Sequence, residues 1–477
     1  MAVNGDHGVL ILDAGENIHL TGSTLEALGD RGSLILHAGK DITLDIDTLS
    51  ARKDMTENRD NYIRTYRKTE MGNTLMAGKD MTLSSGGNLS ARSSTMASER
   101  GKIILAAGDD VTLSNGYNEA RDDYGLKYKE KGFLSGKITA VKSHDEEKKA
   151  SPVIISGDSI SILSGKDTGI SASQIIAPHD VTAAAGGNIH IFSAPEYESH
   201  DYEKQVKKRG LLSGGGLGFT MGSEKRKDRS DSEAVEQVGS TIGSVEGSVR
   251  IGAGKNAAIL GSEVTAGKDI SISGENINLQ HTENTYSSLE KHEMARSGLS
   301  VSLGGRTVET VHSIAAPLMR AGEVEDARLK GLYALQAGQT AGQLIREEKD
   351  AGYVVESLRH NASESANVWE KARDWDTADR IENSRLGKKN SFALDIALGS
   401  SKNKSEIEST AHVIKGSMIH GENTVSVRAD KDISVSGSRI EGKDVNLEAG
   451  RHILITAGEN STEEKQNTHS TSGNMGV

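Results

Sequence analysis

Apolar and polar positions alternate along most of this chain in runs of only three to five residues, and the same short preface introduces run after run. The preface is Gly-x-(Asp or Asn), followed at once by an apolar residue. It stands at Gly15-Glu16-Asn17, Gly39-Lys40-Asp41, Gly78-Lys79-Asp80, Gly108-Asp109-Asp110 and Gly186-Gly187-Asn188. It returns at Gly254-Lys255-Asn256, Gly267-Lys268-Asp269, Gly274-Glu275-Asn276 and Gly442-Lys443-Asp444, with degenerate copies at Pro178-His179-Asp180 and Asp430-Lys431-Asp432. Glycine takes a positive-φ corner at no steric cost, and the Asp or Asn side chain can hydrogen-bond backbone a residue or two further on. The runs that follow, such as Ile270-Ser271-Ile272-Ser273 and Val445-Asn446-Leu447-Glu448, have the period of two that gives a strand one apolar face.

Turns lie 12 residues apart between Asp432 and Asp444, 13 between Asn256 and Asp269, and 24 between Asn17 and Asp41. This spacing predicts coils of roughly 20–24 residues, each with two or three short strands, stacked in parallel about 4.8 Å apart. The fold expected is mainly β: a right-handed parallel β-helix with extruded β-hairpin arms and one α-helical insertion. A β-sandwich of many short strands is the alternative, but a sandwich rarely repeats one corner motif so regularly.

Composition fits the solenoid. The 477 residues include only sixteen aromatics (ten Tyr, four Phe, two Trp), so small aliphatics must fill the interior. Glycine reaches 54 while proline occurs four times, which suits many tight corners joined by strands that donate every N–H. Cysteine is absent, which excludes a disulfide scaffold and thiolate metal sites. The formal charge of −12, from 56 Lys plus Arg against 68 Asp plus Glu, argues against nonspecific nucleic-acid binding. No apolar run approaches the ~18 residues of a membrane-spanning helix, and Met1–Asp6 has no signal-like segment.

Four stretches break the pattern: 52–72, 116–150, 195–245 and 281–409. They are charged and hold most of the tyrosines, among them Tyr62, Tyr66, Tyr117, Tyr124, Tyr128, Tyr197, Tyr202 and Tyr286. Several share a basic residue beside Gly or Ser leading into an apolar strand: Lys131-Gly132-Phe133-Leu134, Arg209-Gly210-Leu211-Leu212 and Arg296-Ser297-Gly298-Leu299. Tyr202 to Lys227 reads as an antiparallel hairpin turning at Gly214-Gly215-Gly216, with Leu217, Phe219 and Met221 along one face of the return. Hairpins of this kind are expected to pack on the solenoid flank and bury their tyrosines there, a partner-binding edge being the sharper alternative.

The domain reading is coils over 1–194 with hairpins near 52–72 and 116–150, a hairpin at 195–245, and coils at 246–280. A β-arm follows at 281–313, a helical insertion at 314–387, the returning arm at 388–409, and coils at 410–458. The insertion rests on Pro317 near a helix start, on Leu329, Leu332 and Tyr333 at i, i+3, i+4, and on a capping box at Asn361 and Glu364. The strands 298–303 and 392–398 on either side are expected to pair. Residues 459–477 look like the start of a further excursion, so the chain reads as part of something longer.

No catalytic motif stands out. Walker A and His-Glu-x-x-His sequences are absent, the fifteen histidines are scattered, and Asp45-Ile46-Asp47 lacks the other oxygens of a calcium loop. No cofactor, metal or small-molecule substrate is expected, and the chain is read as not an enzyme. A β-helix acting on polysaccharide is a remote alternative, because the coils carry almost no aromatic platform besides Phe192. The turn Asp and Asn residues are expected to stack into ladders along the solenoid edge.

The block from Gly261 to Gly274, Gly-Ser-Glu-Val-Thr-Ala-Gly-Lys-Asp-Ile-Ser-Ile-Ser-Gly, resembles the haemagglutinin repeats of filamentous-haemagglutinin-like exoproteins, as does Gly210-Leu211-Leu212-Ser213-Gly214-Gly215-Gly216. Alternation of coils with such arms looks most like the second repeat region of contact-dependent growth inhibition effectors. The resemblance implies two-partner secretion through an outer-membrane β-barrel partner, a place at the Gram-negative cell surface, and a periplasmic stage before release. It further implies association with the target-cell outer membrane in support of delivery of a C-terminal toxin. A rigid filament or adhesin segment is the alternative role. Leu211, Leu212, Leu217, Phe219 and Met221 are the residues expected to meet membrane or partner.

Overall fold

The computed structural model describes residues 1–132, 135–213, 218–304 and 393–476. Ten coils form a parallel β-helix, each contributing one strand to each of three ten-stranded sheets. Alternation sends one residue in two inward, where like residues stack in register. One such column in the second sheet runs Leu10, Leu34, Met81, Ile103, Ile160, Val181, Val249, Ile270, Val425, all buried. Among the described residues no aromatic joins this core, so coil after coil keeps one cross-section and the ladders need no bulge.

The Gly-x-(Asp or Asn) preface serves two different corners. Copies ending at Asn17, Asp41, Asp110, Asn188, Asn256 and Asn276 lead into the third sheet, whereas Asp80, Asp269 and Asp444 lead into the second. The expected ladder is present at the first of these corners. The Asn17 side-chain oxygen accepts the Asp41 N–H, that of Asp41 accepts from Asn88, and Asn88 accepts from Asp110. The series continues through Asp167, Asn188 and Asn256 to Asn276. Down to Asn256 each corner thereby satisfies a backbone amide of the next coil, and at the last link the Asn276 side-chain amide donates to Asn256.

The third corner explains the excursions. In alternate coils one left-handed residue turns the chain: Gly22, Ser93, Ala172, Gly261 or Gly437, with φ between 40° and 54°. In the coils between, the chain leaves as an arm. Arm 1 is Asp47–Asn58 with Asn61–Met71, arm 2 is Gly116–Gly132 with Ser135–Ser151, and arm 3 is Ala194–Ser213 with Gly218–Val238. Arm 4 is Thr282–Gly304 with Ala393–Lys415, and Ser461–Gly476 is the outgoing strand of arm 5.

These arms are not laid on the solenoid flank, as the sequence suggested; they pair with one another in a single nine-stranded antiparallel sheet. The reason is metrical. Coils and paired strands share one spacing of about 4.8 Å, so two coils advance the solenoid by about 9.6 Å, the width of one two-stranded hairpin. One arm for every two coils therefore fills the available width, and each arm meets the next at hydrogen-bonding distance. The tyrosines follow the same logic. Gly125 of arm 2 leaves space for the Tyr62 ring of arm 1, and the Tyr286 hydroxyl of arm 4 donates to Glu236 of arm 3 at 2.9 Å.

The expected pairing of 298–303 with the returning strand is present, with Val301 opposite Ile396. The helical insertion expected at 314–387 lies outside the described residues.

Candidate interaction surface at the far end of the arm sheet

A recurring clasp fixes each arm at its root. At the start of the outgoing strand, a side-chain oxygen accepts an N–H from the returning strand of the preceding arm. Asn118 accepts from Glu70, Glu196 from Ala150, Asn284 from Gln237 and Asn460 from Ile414, at 2.7–3.0 Å. Between arms 1 and 2 the buried Glu70 carboxylate strengthens the junction. It pairs with Arg92 at 2.8 Å and Lys68 at 2.9 Å, and accepts the Tyr117 N–H at 2.8 Å. Burial works to raise this carboxyl, but Lys68, the Tyr117 amide and Arg92 together hold it below the ordinary glutamate range. At the root of arm 4, Lys415 donates to the Gln237 carbonyl at 2.6 Å, and its own burial lowers its ammonium pKa.

Because the roots are in phase, the far ends are too. Gly210 lies opposite Gly222, Gly222 opposite Gly298, and Gly298 opposite Gly399. This glycine seam crosses four strands. A Cβ on Gly222 would stand 2.0 Å from the Ser297 carbonyl oxygen, so the backbones approach there more closely than any side chain permits.

One residue beyond the seam lies an apolar row. Leu211 faces Met221, Met221 faces Leu299, Leu299 faces Leu398, and Leu398 faces Met475. Residues directly opposite in antiparallel strands share a face, and all five are exposed, from 43% at Leu211 and Leu299 to 82% at Met475.

Of the residues expected to meet membrane or partner, Leu211 and Met221 thus stand side by side on this face. Leu212 points to the opposite face and is buried. Phe219 holds a register position two residues beyond Met221, opposite Ser213 and Val301. Leu217 lies outside the described residues. Leu299, Leu398 and Met475 were not singled out from sequence. The available signal was the Gly-Leu step at 210–211 and 298–299 and its reverse, Leu398-Gly399, on a returning strand.

The Hemagglutinin repeat family matches residues 55–208, 221–316 and 396–477, most of the chain and every arm. The chain belongs to the hemagglutinin-repeat family. It has the repeat architecture of the filamentous-haemagglutinin-like exoproteins found in contact-dependent growth inhibition. Among curated relatives it is similar to a "tRNA nuclease CdiA" of Escherichia coli strain STEC_O31, 29% identical over 79% of this chain and 11% of the relative. A "16S rRNA endonuclease CdiA" of Enterobacter cloacae is 29% identical over 79% of this chain and 11% of that protein. A "tRNA nuclease CdiA-2" of Burkholderia pseudomallei is 24% identical over 80% of this chain and 12% of that protein. The chain thus spans about a tenth of the length of these relatives. No solved structure matches it.

Proposed function

We propose that this hemagglutinin-repeat segment is a non-catalytic part of a secreted bacterial surface exoprotein, and that its arm sheet supports passage of a C-terminal toxin across the outer membrane of a target cell. The observation that carries this reading is the in-register apolar row beyond the glycine seam. A solenoid that only spans distance has no use for five exposed apolar side chains aligned at the far end of a polar sheet. Export through an outer-membrane β-barrel partner fits a chain without cysteine, which threads unfolded and then folds coil upon coil, each templating the next. A periplasmic stage before release belongs to the same proposal. A rigid filament or adhesin segment is the second reading, favoured by the unbroken Asp/Asn ladder from Asn17 to Asn276.

Sedimentation with outer-membrane vesicles tests the proposal. The chain is expected to co-sediment and to resist an alkaline carbonate wash. A variant carrying Leu211→Glu, Met221→Glu and Leu398→Glu is expected to lose that resistance while keeping its β circular dichroism. A chain that stays soluble with vesicles, or a folded variant that binds as well as the parent, overturns the membrane role and leaves the filament reading.

A further inference from the structure

Charge on the arm sheet is sorted by face and by distance from the solenoid. On the face that carries Leu211 and Met221, the first row behind the apolar one holds Lys131, Gly136, Arg209, Ser223, Ser297 and Ser400. The second row holds Lys129, Ile138, Lys207, Lys225, Ala295 and Lys402. Neither row contains a carboxylate. Lys129, Lys131, Lys207, Arg209, Lys225 and Lys402 are all exposed and none makes an ion pair among the described residues. Closer to the solenoid the sign reverses: one row of the same face carries Asp123, Asp201, Asp231 and Glu408 against only Arg64 and Lys465 among lysines and arginines.

The opposite face differs. Its row nearest the glycine seam interleaves Glu130, Lys137, Lys208, Glu224 and Arg296, so that each cation there has a carboxylate partner. Arg296 pairs with Glu224 at 2.6 Å, Lys137 with Glu130 at 2.8 Å, and Lys208 approaches Glu224 at 3.7 Å. A sheet that is merely soluble would give both faces the same treatment. Here the uncompensated cations gather on the face with the apolar row, in a chain whose formal charge is −12.

The geometry points to a docking surface for a lipid membrane whose headgroups are anionic phosphates. This rests on the membrane reading above and adds the face, the partner chemistry and the orientation. Alternate residues of a strand are about 6.8 Å apart, so the cation rows lie about 7 and 14 Å behind the apolar one. An apolar element enters the headgroup–acyl boundary by about 5–10 Å, which brings the first cation row to the level of the phosphates. Lysine stems bridge the remainder, with apolar methylenes inward and ammonium groups at the phosphates. The acidic row stands farther off than the Debye length of about 8 Å at physiological salt, so it offers little opposition.

Flotation of the whole 477-residue chain with two vesicle types tests this. One type is phosphatidylcholine alone; the other has phosphatidylcholine and phosphatidylglycerol in equal parts. Each surface lysine strengthens binding to an anionic leaflet about five-fold. Lys207→Glu, Lys225→Glu and Lys402→Glu together are therefore expected to weaken binding to the anionic vesicles by about a hundred-fold or more. The matched change on the exposed solenoid lysines, Lys102→Glu, Lys268→Glu and Lys443→Glu, is expected to leave binding within a few-fold of the parent. Binding by the parent should also fall steeply as salt is raised. Equal binding to both vesicles, with no loss in the arm triple, overturns the headgroup inference while the membrane reading stands. Equal losses in the two triples also overturn it, since net charge alone is then responsible. Absence of binding to either vesicle overturns both readings.

Discussion

Deleting residues 153–172 removes one plain coil without touching an arm, because Val153 and Ser173 occupy equivalent places, each just before the strand that opens a coil. The solenoid can close over this cut: Met96 faces Ile155 in register and Ile155 faces Ile175, so after the deletion Met96 meets an isoleucine as before. The arms cannot. Arms 2 and 3 would leave from successive coils, about 4.8 Å apart, while each hairpin needs about 9.6 Å. The pairing at risk runs from Ser135–Lys148 against Tyr197–Gly210. At about 0.5–1.5 kcal/mol net for each ladder hydrogen bond, it contributes on the order of 10 kcal/mol.

The control is deletion of 153–239, which removes two coils together with arm 3 and restores the phase, placing the returning strand of arm 2 beside the outgoing strand of arm 4. Amide hydrogen exchange on both proteins is the assay. The single-coil deletion is expected to lose protection at the alternate amides of Ser135–Lys148 that donate to arm 3, while those donating within arm 2, and Val181–Ala185 and Val249–Ala253, stay protected. The two-coil deletion, which lacks Val181–Ala185, is expected to keep protection along Ser135–Lys148 and in Val249–Ala253. Undiminished protection of those arm-3-facing amides after the single-coil deletion would refute the argument that matched spacing builds the arm sheet.

Two further outcomes follow from particular side chains. Glu70→Gln leaves Arg92 and Lys68 facing a neutral group at a buried junction, and is expected to destabilise the root of arms 1 and 2 by about 1–3 kcal/mol, read from local hydrogen exchange. Because Glu70 titrates below its ordinary value in the fold, its contribution is present above the unfolded pKa of about 4.3. It is lost as pH falls through the lower folded value, so parent and variant should converge in acid. Gly298→Val places a Cβ 2.5 Å from the Met221 carbonyl oxygen and 2.8 Å from the Gly222 Cα. It is expected to free the amides around Met221 and Leu299 while Gly136→Val, whose Cβ meets nothing within 4 Å, does not. Equal exchange in the two variants would show that the seam is not a close approach.

The solenoid was legible because everything that specifies it is local. A Gly-x-(Asp or Asn) corner and a few alternating residues contain the turn, the strand and the inward face, and repetition supplies the partner strand. Even so, sequence merged two corners into one motif, since Asp41 and Asp80 share a preface and differ only in which sheet follows. The arms were legible as hairpins and their partners were not. Tyr62 and Gly125, or Leu211 and Leu398, are far apart along the chain, and no periodicity within either segment names the other. What brings them together is the equality of two lengths, two coils and one hairpin, and that equality exists only once the coils are stacked. The same phase turns scattered Gly-Leu steps into a seam and an apolar row, and separate basic residues into a one-sided field. Sequence alone thus determined the solenoid, by local repetition; the arm surface was decided in three dimensions, by the common spacing of paired strands.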